Sequence, residues 1–297
     1  MSLFLAAWRA SRVLPTPVVR FAAWAVADAA WVAKARPVVR LEENLHRVTG
    51  ASGRELRRLS RRGMASTARY YAEILEMRRI DGDAIDARVR LEHYERVSEV
   101  LAEDRAAVAV LGHSGNWDLV GAYACRNIIP VTAVAERLKP DEVFDEFVAL
   151  RAGHGLRILG HDGGSTFRQL IRLGRAERTL LCLVADRDLS GSGIEVQMWG
   201  HRVKVAPGPA ALAAAIGRPI LPVHVRYERL RGARRRAARS RWGTVLSFGP
   251  PVDPVEFEGE SRVEDMTRAW ASVLGERIAA HPEDWHMLQR FGWIEEG

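Results

Sequence analysis

Cysteine is nearly absent: Cys125 and Cys182 are the only two in 297 residues. They lie far apart in apolar surroundings, so no disulfide framework is expected and a reducing cytoplasm is. No run has the spacing of a zinc site, an RNP motif or a helix-turn-helix, which leaves no expectation of a metal or of nucleic acid as partner. The glycine-rich turn at 160–166, G-H-D-G-G-S-T, lacks the Gly-Lys-Ser/Thr of a phosphate-binding P-loop. Long uncharged apolar runs are missing too. Arg12, Arg20 and Asp28 interrupt residues 1–35 often enough that nothing there spans a bilayer, and no secretory signal is expected. Internal repeats, low-complexity segments and interior linkers are not evident.

What is present is a globular composition, 47% hydrophobic and 27% charged, with a formal charge of +7. A basic excess suits anionic surfaces, and without nucleic-acid motifs lipid is the better match. Phe21, Trp24, Asp28, Trp31 and Val32 recur at helical spacing, and Trp8 sits beside Arg9 and Arg12 in a preceding short helix closed by Pro15 and Pro17. Tryptophan beside arginine suits a lipid headgroup boundary, so residues 1–35 are expected as amphipathic membrane-surface helices. Covering the core is their other expected use. Residues 37–104 alternate charged and apolar groups with helical period, and Arg54, Arg57, Arg58, Arg61 and Arg62 read as a solvated helix face that would also attract phosphate.

The chain is organised around A-A-V-A-V-L-G-H-S-G-N-W-D, residues 106–118. Its apolar run is too short for a helix and reads as a strand buried on both faces of a parallel sheet. Asn116 is placed to cap a following helix, with Asp118 in its first turn. His113 then stands at the carboxyl end of a buried strand, where open α/β sheets place ligands. The short turn allows the Asp118 carboxylate to fold back on the imidazole, fixing one tautomer and leaving the other nitrogen to take a proton from a hydroxyl. A rival is the serine-hydrolase elbow with Ser114 as nucleophile, but Asn116 stands where its second glycine belongs.

Further strands are expected at 131–134, 156–159, 179–185, 219–227 and 243–248, with helices at 141–152, after the glycine-rich turn at 160–166, from the Pro207-Gly208-Pro209 opening to 217 and at 262–280. The strand at 179–185 ends in Asp186-Arg187-Asp188, three charges at the ligand edge. Ile194–Trp199 alternates, setting Glu195 opposite Ile194 and Val196. The arginine-rich tract at 226–241 reads as a loop or hairpin arm, with membrane contact a second use. Alternating strands and helices predict an α/β fold over 1–297, a mostly parallel central sheet flanked by helices.

Together these blocks resemble a known set. The His-x4-Asp, here H-S-G-N-W-D, is similar to that of membrane-associated glycerolipid acyltransferases, and its N-W-D form resembles the lipid A late acyltransferase branch. V-A-E-R-L-K-P at 134–140, F-V-A-L-R at 147–151, V-A-D-R-D-L at 184–189, G-I-E-V at 193–196, P-G-P-A-A-L-A at 207–213 and H-P-E-D-W-H-M-L-Q-R at 281–290 look most like the phosphatidylinositol mannoside acyltransferases. The resemblance covers nearly the whole chain. It implies a glycerolipid-acyltransferase-like fold and transfer of a fatty acyl group, palmitoyl in this reading, from acyl-CoA to a mannose hydroxyl at the cytoplasmic membrane face. Acyl-CoA is then a co-substrate and no other cofactor is expected. His113 would be the base, Asp118 or Glu195 or both would orient it, and Glu136, Arg151 and Arg187 would hold donor or acceptor. His-Ser-Gly, Met198-Trp199 and Val203 to Val205 depart from the pattern, which puts the walls of the acyl or sugar site in question. Other acceptors in play are a different glycolipid or a lysophospholipid; a serine esterase or a peripheral lipid-binding protein without catalysis would be the other classes.

Overall fold

The computed structural model describes residues 8, 10, 11, 13–137, 139–188 and 191–295. Most of the expected first short helix, including Arg9 and Arg12, falls outside them. Thr16–Val32 (α1), with Pro17 in its first turn, is apolar nearly all round. Arg36–Thr49 (α2) ends on Gly50 in the left-handed region, φ 71°, the usual helix stop. Gly53–Glu76 (α3) is 24 residues long and carries the arginine run. Val38, Leu41, Leu45, Leu59 and Met64 lock α2 and α3 together.

Both charges of α1 turn toward α3. Arg20 forks onto Glu76 with two 2.6 Å bonds, and Arg61 donates to Asp28 at 2.8 Å. Trp31 likewise turns inward and donates to Ser60 Oγ. The outer face of α1 is therefore uncharged, with Val18, Phe21, Trp24, Val26 and Val32 exposed. The stripe read from the sequence splits between these two sides. Among the described residues, no helix is long and apolar enough to cross a membrane.

Gly82–Arg88 (α4), Val89–Glu92 (β1) and Ser98–Ala102 (α5) lead to Ala107–Leu111 (β2). Then follow Trp117–Asn127 (α6), Val131–Ala135 (β3), Asp141–Ala152 (α7), Arg157–Gly160 (β4), Gly164–Ala176 (α8) and Leu180–Val184 (β5). The hairpin Ile194–Met198 (β6) and His201–Val205 (β7), then Gly208–Ile216 (α9), Ile220–Arg229 (β8), Gly232–Ala238 (α10), Trp242–Phe248 (β9) and Arg262–Ala280 (α11) complete the order. The central sheet has seven strands in the order β1-β9-β8-β2-β5-β3-β4. Its pairings are parallel except β8 with β9, which makes it the mostly parallel α/β sheet expected.

Every residue of β2 is buried, and the pleat divides them between two cores. Ala107, Ala109 and Leu111 face α6 and α7 through Leu119, Val120, Phe147 and Leu150. Val108 and Val110 face α8, α9 and α11 through Leu170, Leu212, Trp270 and Leu274. With helices closing both faces, only the strand ends are left open to build a site. The helical expectation for 37–104 missed β1, a four-residue edge strand whose V-R-L-E is too short to show its own period. The arginine tract is an arm of β8, α10 and β9 rather than a plain loop.

Candidate active site

Strands β2 and β5 are parallel neighbours with Leu111 opposite Val184. Two residues further on each, His113 and Asp186 meet beyond the sheet edge. His113 Nδ1 lies 2.7 Å from Asp186 Oδ1, and the His113 backbone N–H donates to Oδ2 at 3.0 Å. Trp285 Nε1 donates to the same Oδ2 at 2.9 Å. Burial pushes the fully enclosed Asp186 carboxyl up, but these donors outweigh it and hold its pKa below the usual range. An ionised Asp186 makes Nδ1 the donor, which leaves Nε2 as a lone-pair acceptor. Burial lowers the affinity of His113 for a proton while the Asp186 charge raises it, with the balance above 6.5. The imidazole side chain is 35% exposed and the carboxylate 0%, so the base meets the open edge and its partner does not.

Asp118 does not fold back on His113, contrary to the expectation from spacing. It lies in the first turn of α6 and accepts from Arg151 Nε at 2.6 Å, Arg151 Nη2 at 3.3 Å and Tyr70 Oη at 2.9 Å. The reason is Asn116: its side chain accepts from the Leu119 N–H, which starts the helix there and turns Asp118 into the α3–α7 side of the bundle. Arg151 is thereby tied to a protein carboxylate, and despite its burial that charge raises its pKa. Glu195 is not brought to the imidazole either. It lies on the exposed face of the β6–β7 hairpin, where Arg202 bonds both of its oxygens, because the alternation that faced Val196 inward faces Glu195 to solvent.

Of the other expected residues, Arg187 and Glu136 stand near His113, each acting on its charge. Their charged ends are 3.7 Å apart, and Arg187 Nε is buried without a hydrogen-bond partner among the described residues. Ser114 is 1% exposed and its hydroxyl is unpartnered among the described residues, a poor placement for an attacking nucleophile. Gly115 takes φ 60°, and a Cβ there would lie 2.7 Å from the Val225 carbonyl oxygen. Only glycine fits the turn. Its N–H donates to Asp284 O and is spent there.

The carboxyl-terminal tail closes the site from behind. The His286 N–H donates to His113 O at 2.7 Å, and the His286 ring, with Trp117 and Tyr70, forms an aromatic wall. Burial, Arg69 and His113 push His286 down to about 3, so it stays neutral. In the sequence Asp186 was seen only as part of a charged strand end, and Trp285 and His286 only within the block at 281–290. One signal for Asp186 was available: two apolar strands each ending in a polar residue bring those ends together if they are neighbours. Among the described residues no cluster of His, Cys, Asp and Glu could hold a metal.

The geometry is that of a proton-accepting histidine fixed by a buried carboxylate at the ligand edge of an α/β sheet. The family described as bacterial lipid A biosynthesis acyltransferase matches residues 1–291. The chain is 32% identical over 296 residues to the phosphatidylinositol mannoside acyltransferase of Mycolicibacterium smegmatis, covering 99% of this chain and 91% of that protein. It is also 32% identical over 291 residues to the protein of that name from Mycobacterium tuberculosis, covering 96% and 86%. A solved 1-acyl-sn-glycerophosphate acyltransferase from Thermotoga maritima aligns over 89% of this chain and 96% of its own, with 15% identity and a TM-score of 0.40. The chain belongs to the lipid A biosynthesis acyltransferase family and is an acyltransferase.

Proposed function

We propose that the protein transfers a fatty acyl group, palmitoyl in this reading, from acyl-CoA to a mannose hydroxyl of a phosphatidylinositol mannoside. The observation that carries the chemistry is the His113 Nδ1 fixed by Asp186, which leaves Nε2 as the proton acceptor. Nε2 takes the hydroxyl proton as the sugar oxygen attacks the thioester carbonyl. The tetrahedral intermediate expels the coenzyme A thiolate, which recovers the proton from the imidazolium. No acyl-enzyme forms. The names and near-full-length similarity of the curated relatives support the acceptor class. Arg187, with its unspent Nε, and Glu136 are the side chains in place to hold substrate beside the base. Arg151 acts through Asp118 to fix α6. The bare face of α1 would lie on an anionic membrane surface at its cytoplasmic side, as a peripheral or monotopic contact.

A general base is worth about 10²–10⁴ in rate. His113→Ala should therefore lower transfer from radiolabelled acyl-CoA by that factor, while Ser114→Ala keeps most of it. Equal loss in both, with a trapped acyl-serine, would replace this mechanism by the nucleophile elbow.

A further inference from the structure

The arginine run of α3 reads from the sequence as a solvated face, but in the structure part of it walls a cavity. Arg54, Arg57, Arg58 and Arg61 recur at i, i+3, i+4 and i+7, the spacing that lines one side of a helix. With Gly53 and with Trp31 of α1 they surround a space of about 520 Å³. Two of the guanidiniums are already held. Arg57 donates to Glu42 at 2.7 Å and to the Trp31 carbonyl at 3.2 Å, and Arg61 donates to Asp28 at 2.8 Å. Both also lie over the Trp31 ring, with Cζ 3.9 Å and 5.0 Å from its centroid, which fixes that wall.

Arg54 and Arg58 are not spent in this way. Both are exposed, and neither makes a hydrogen bond or an ion pair among the described residues. They stand one helical turn apart, with Cβ atoms about 5–6 Å from each other, so one small anion between them meets both. The carboxylates at the cavity, Glu42 and Asp28, each neutralise one of the held arginines, which leaves the other two in excess. Glu55, in the first turn of α3, does not line the space. Ser52 gives this helix start no side-chain cap, and a helix N-terminus adds its own attraction for an anion. Guanidiniums match phosphate oxygens in shape and charge.

The cavity lies where the apolar face of α1 ends. Asp28 pairs with Arg61 and Arg20 with Glu76, so α1 runs antiparallel to α3. Its bare face begins beside the active-site end of α3 and finishes at Val32, which is exposed and adjoins Trp31. Tyr70, on the wall of the active site, is about 18 Å further along α3 from Arg58, so the cavity is separate from the catalytic centre.

We propose that Arg54 and Arg58 bind the phosphodiester of an anionic bilayer phospholipid in the cavity walled by Trp31, Arg57 and Arg61. The site rests on the membrane-surface reading of α1 given above. A lipid packed along the bare face meets these arginines with its headgroup. The helix is then pinned at the end far from the catalytic centre, and the sheet edge that carries His113 keeps one direction relative to the bilayer. Soluble phosphate esters are the other source of the same chemistry.

The test is co-sedimentation with two kinds of phosphatidylcholine vesicle at matched surface charge, one containing phosphatidylinositol and the other cholesteryl hemisuccinate, a carboxylate. Wild type should prefer the phosphatidylinositol vesicles about 10-fold, the low end of the value of hydrogen bonds to a charged group, because the arginines are exposed. Arg54→Gln with Arg58→Gln should abolish that preference at an unchanged thermal midpoint. Arg235→Gln with Arg236→Gln removes the same charge from the arm; it should weaken both kinds of binding alike and leave the preference in place. Equal retention of wild type on the two vesicles keeps α1 as the anchor and overturns the site, and retention on neither overturns both. A preference that survives in the α3 variant, or falls as far in the arm variant, reduces the site to a diffuse field and overturns it as well. Calorimetry with glycerophosphoinositol, without vesicles, addresses the soluble source: binding that the α3 variant loses, with no vesicle preference in wild type, makes the cavity a metabolite site and overturns the lipid assignment. None of these readouts uses acyl transfer, so a protein that fails to acylate a mannoside would lose the enzyme reading and keep the lipid site.

Discussion

At His113 the position of one proton decides what the ring can do, and Asp186 sets it. The carboxylate takes Nδ1–H and the backbone N–H of the same residue, so ring orientation and tautomer are fixed together. An amide at 186 offers a donor to Nδ1 and favours the opposite tautomer, a change worth about 10⁴ in turnover where such a dyad has been dissected. Asp186→Asn should therefore cut kcat by about 10²–10⁴ with little change in acceptor KM. The pH profile adds a sign. The neutral imidazole is the active form and Asp186 holds its pKa above the usual value; kcat/KM must then fall as pH drops through that raised value. Without that charge burial and Arg187 lower the pKa and Glu136 raises it by less, so residual activity in the variant should keep its plateau to lower pH. Asp118→Asn should behave differently. It leaves the Arg151 guanidinium, whose side chain is 14% exposed, without its counter-charge, and breaking such a pair costs about 3–5 kcal/mol. A lower thermal midpoint with an unmoved pH limb is expected, and a shifted limb would return Asp118 to the imidazole. His113 itself was legible, because a polar residue ending an apolar run marks a strand end. Its partner was not: nearness in sequence favoured Asp118, while nearness in space depends on which strands are neighbours.

Strands and helices were read well wherever a period or a stop signal was complete, and α7 and α11 occupy 141–152 and 262–280 as expected. What the sequence did not show was the lateral order of β2, β5 and β8, or the route of the tail. Residues 284–286 make two contacts with the base and its partner, Trp285 Nε1 to Asp186 and the His286 N–H to His113 O, and a third with the turn beside them, where Asp284 O accepts from the Gly115 N–H. A tail without helical or strand period carries no signal for this, since its hydrogen bonds go to another element. Trp285 does two things, filling the core at 0% exposure and donating to the carboxylate, and two variants separate them. Trp285→Phe removes the donor, and should lower kcat about 10-fold, at the low end of the value of a bond to a charged group. Phe291→Leu loosens the same aromatic cluster, in which the two rings lie 5.1 Å apart, without touching Asp186. It should lower the thermal midpoint and leave kcat in place. Equal loss of kcat in both would reduce the tail to packing.

At the scale of the whole molecule, α1 joins the site to a surface. Arg20 on α1 forks onto Glu76, and Glu73, three residues earlier on α3, holds the Asn116 amide that starts α6 beside His113. The helix that presents the bare apolar face is thus anchored at the active-site end of α3. Phe21 is 67% exposed, Val26 71% and Val32 65%, on a helix whose two charges are spent on α3. A face of this kind is stabilised by insertion into the headgroup and acyl boundary, and on the membrane-surface reading proposed above the arginines of α3 and the arm would add attraction to anionic lipid. The two contributions respond to different conditions. Salt at 1 M shortens the screening length to about 3 Å and removes most of the arginine contribution, whereas apolar transfer remains. Burying one large apolar side chain is worth about 1.5–3 kcal/mol, so Phe21→Asp with Val26→Asp should lower partition onto phosphatidylcholine vesicles containing phosphatidylinositol by at least about 100-fold. Co-sedimentation of wild type should weaken with salt and persist at 1 M; the double variant should bind only at low salt. If wild type leaves the vesicles at high salt and the variant matches it throughout, the protein is held by charge alone and α1 is not its anchor.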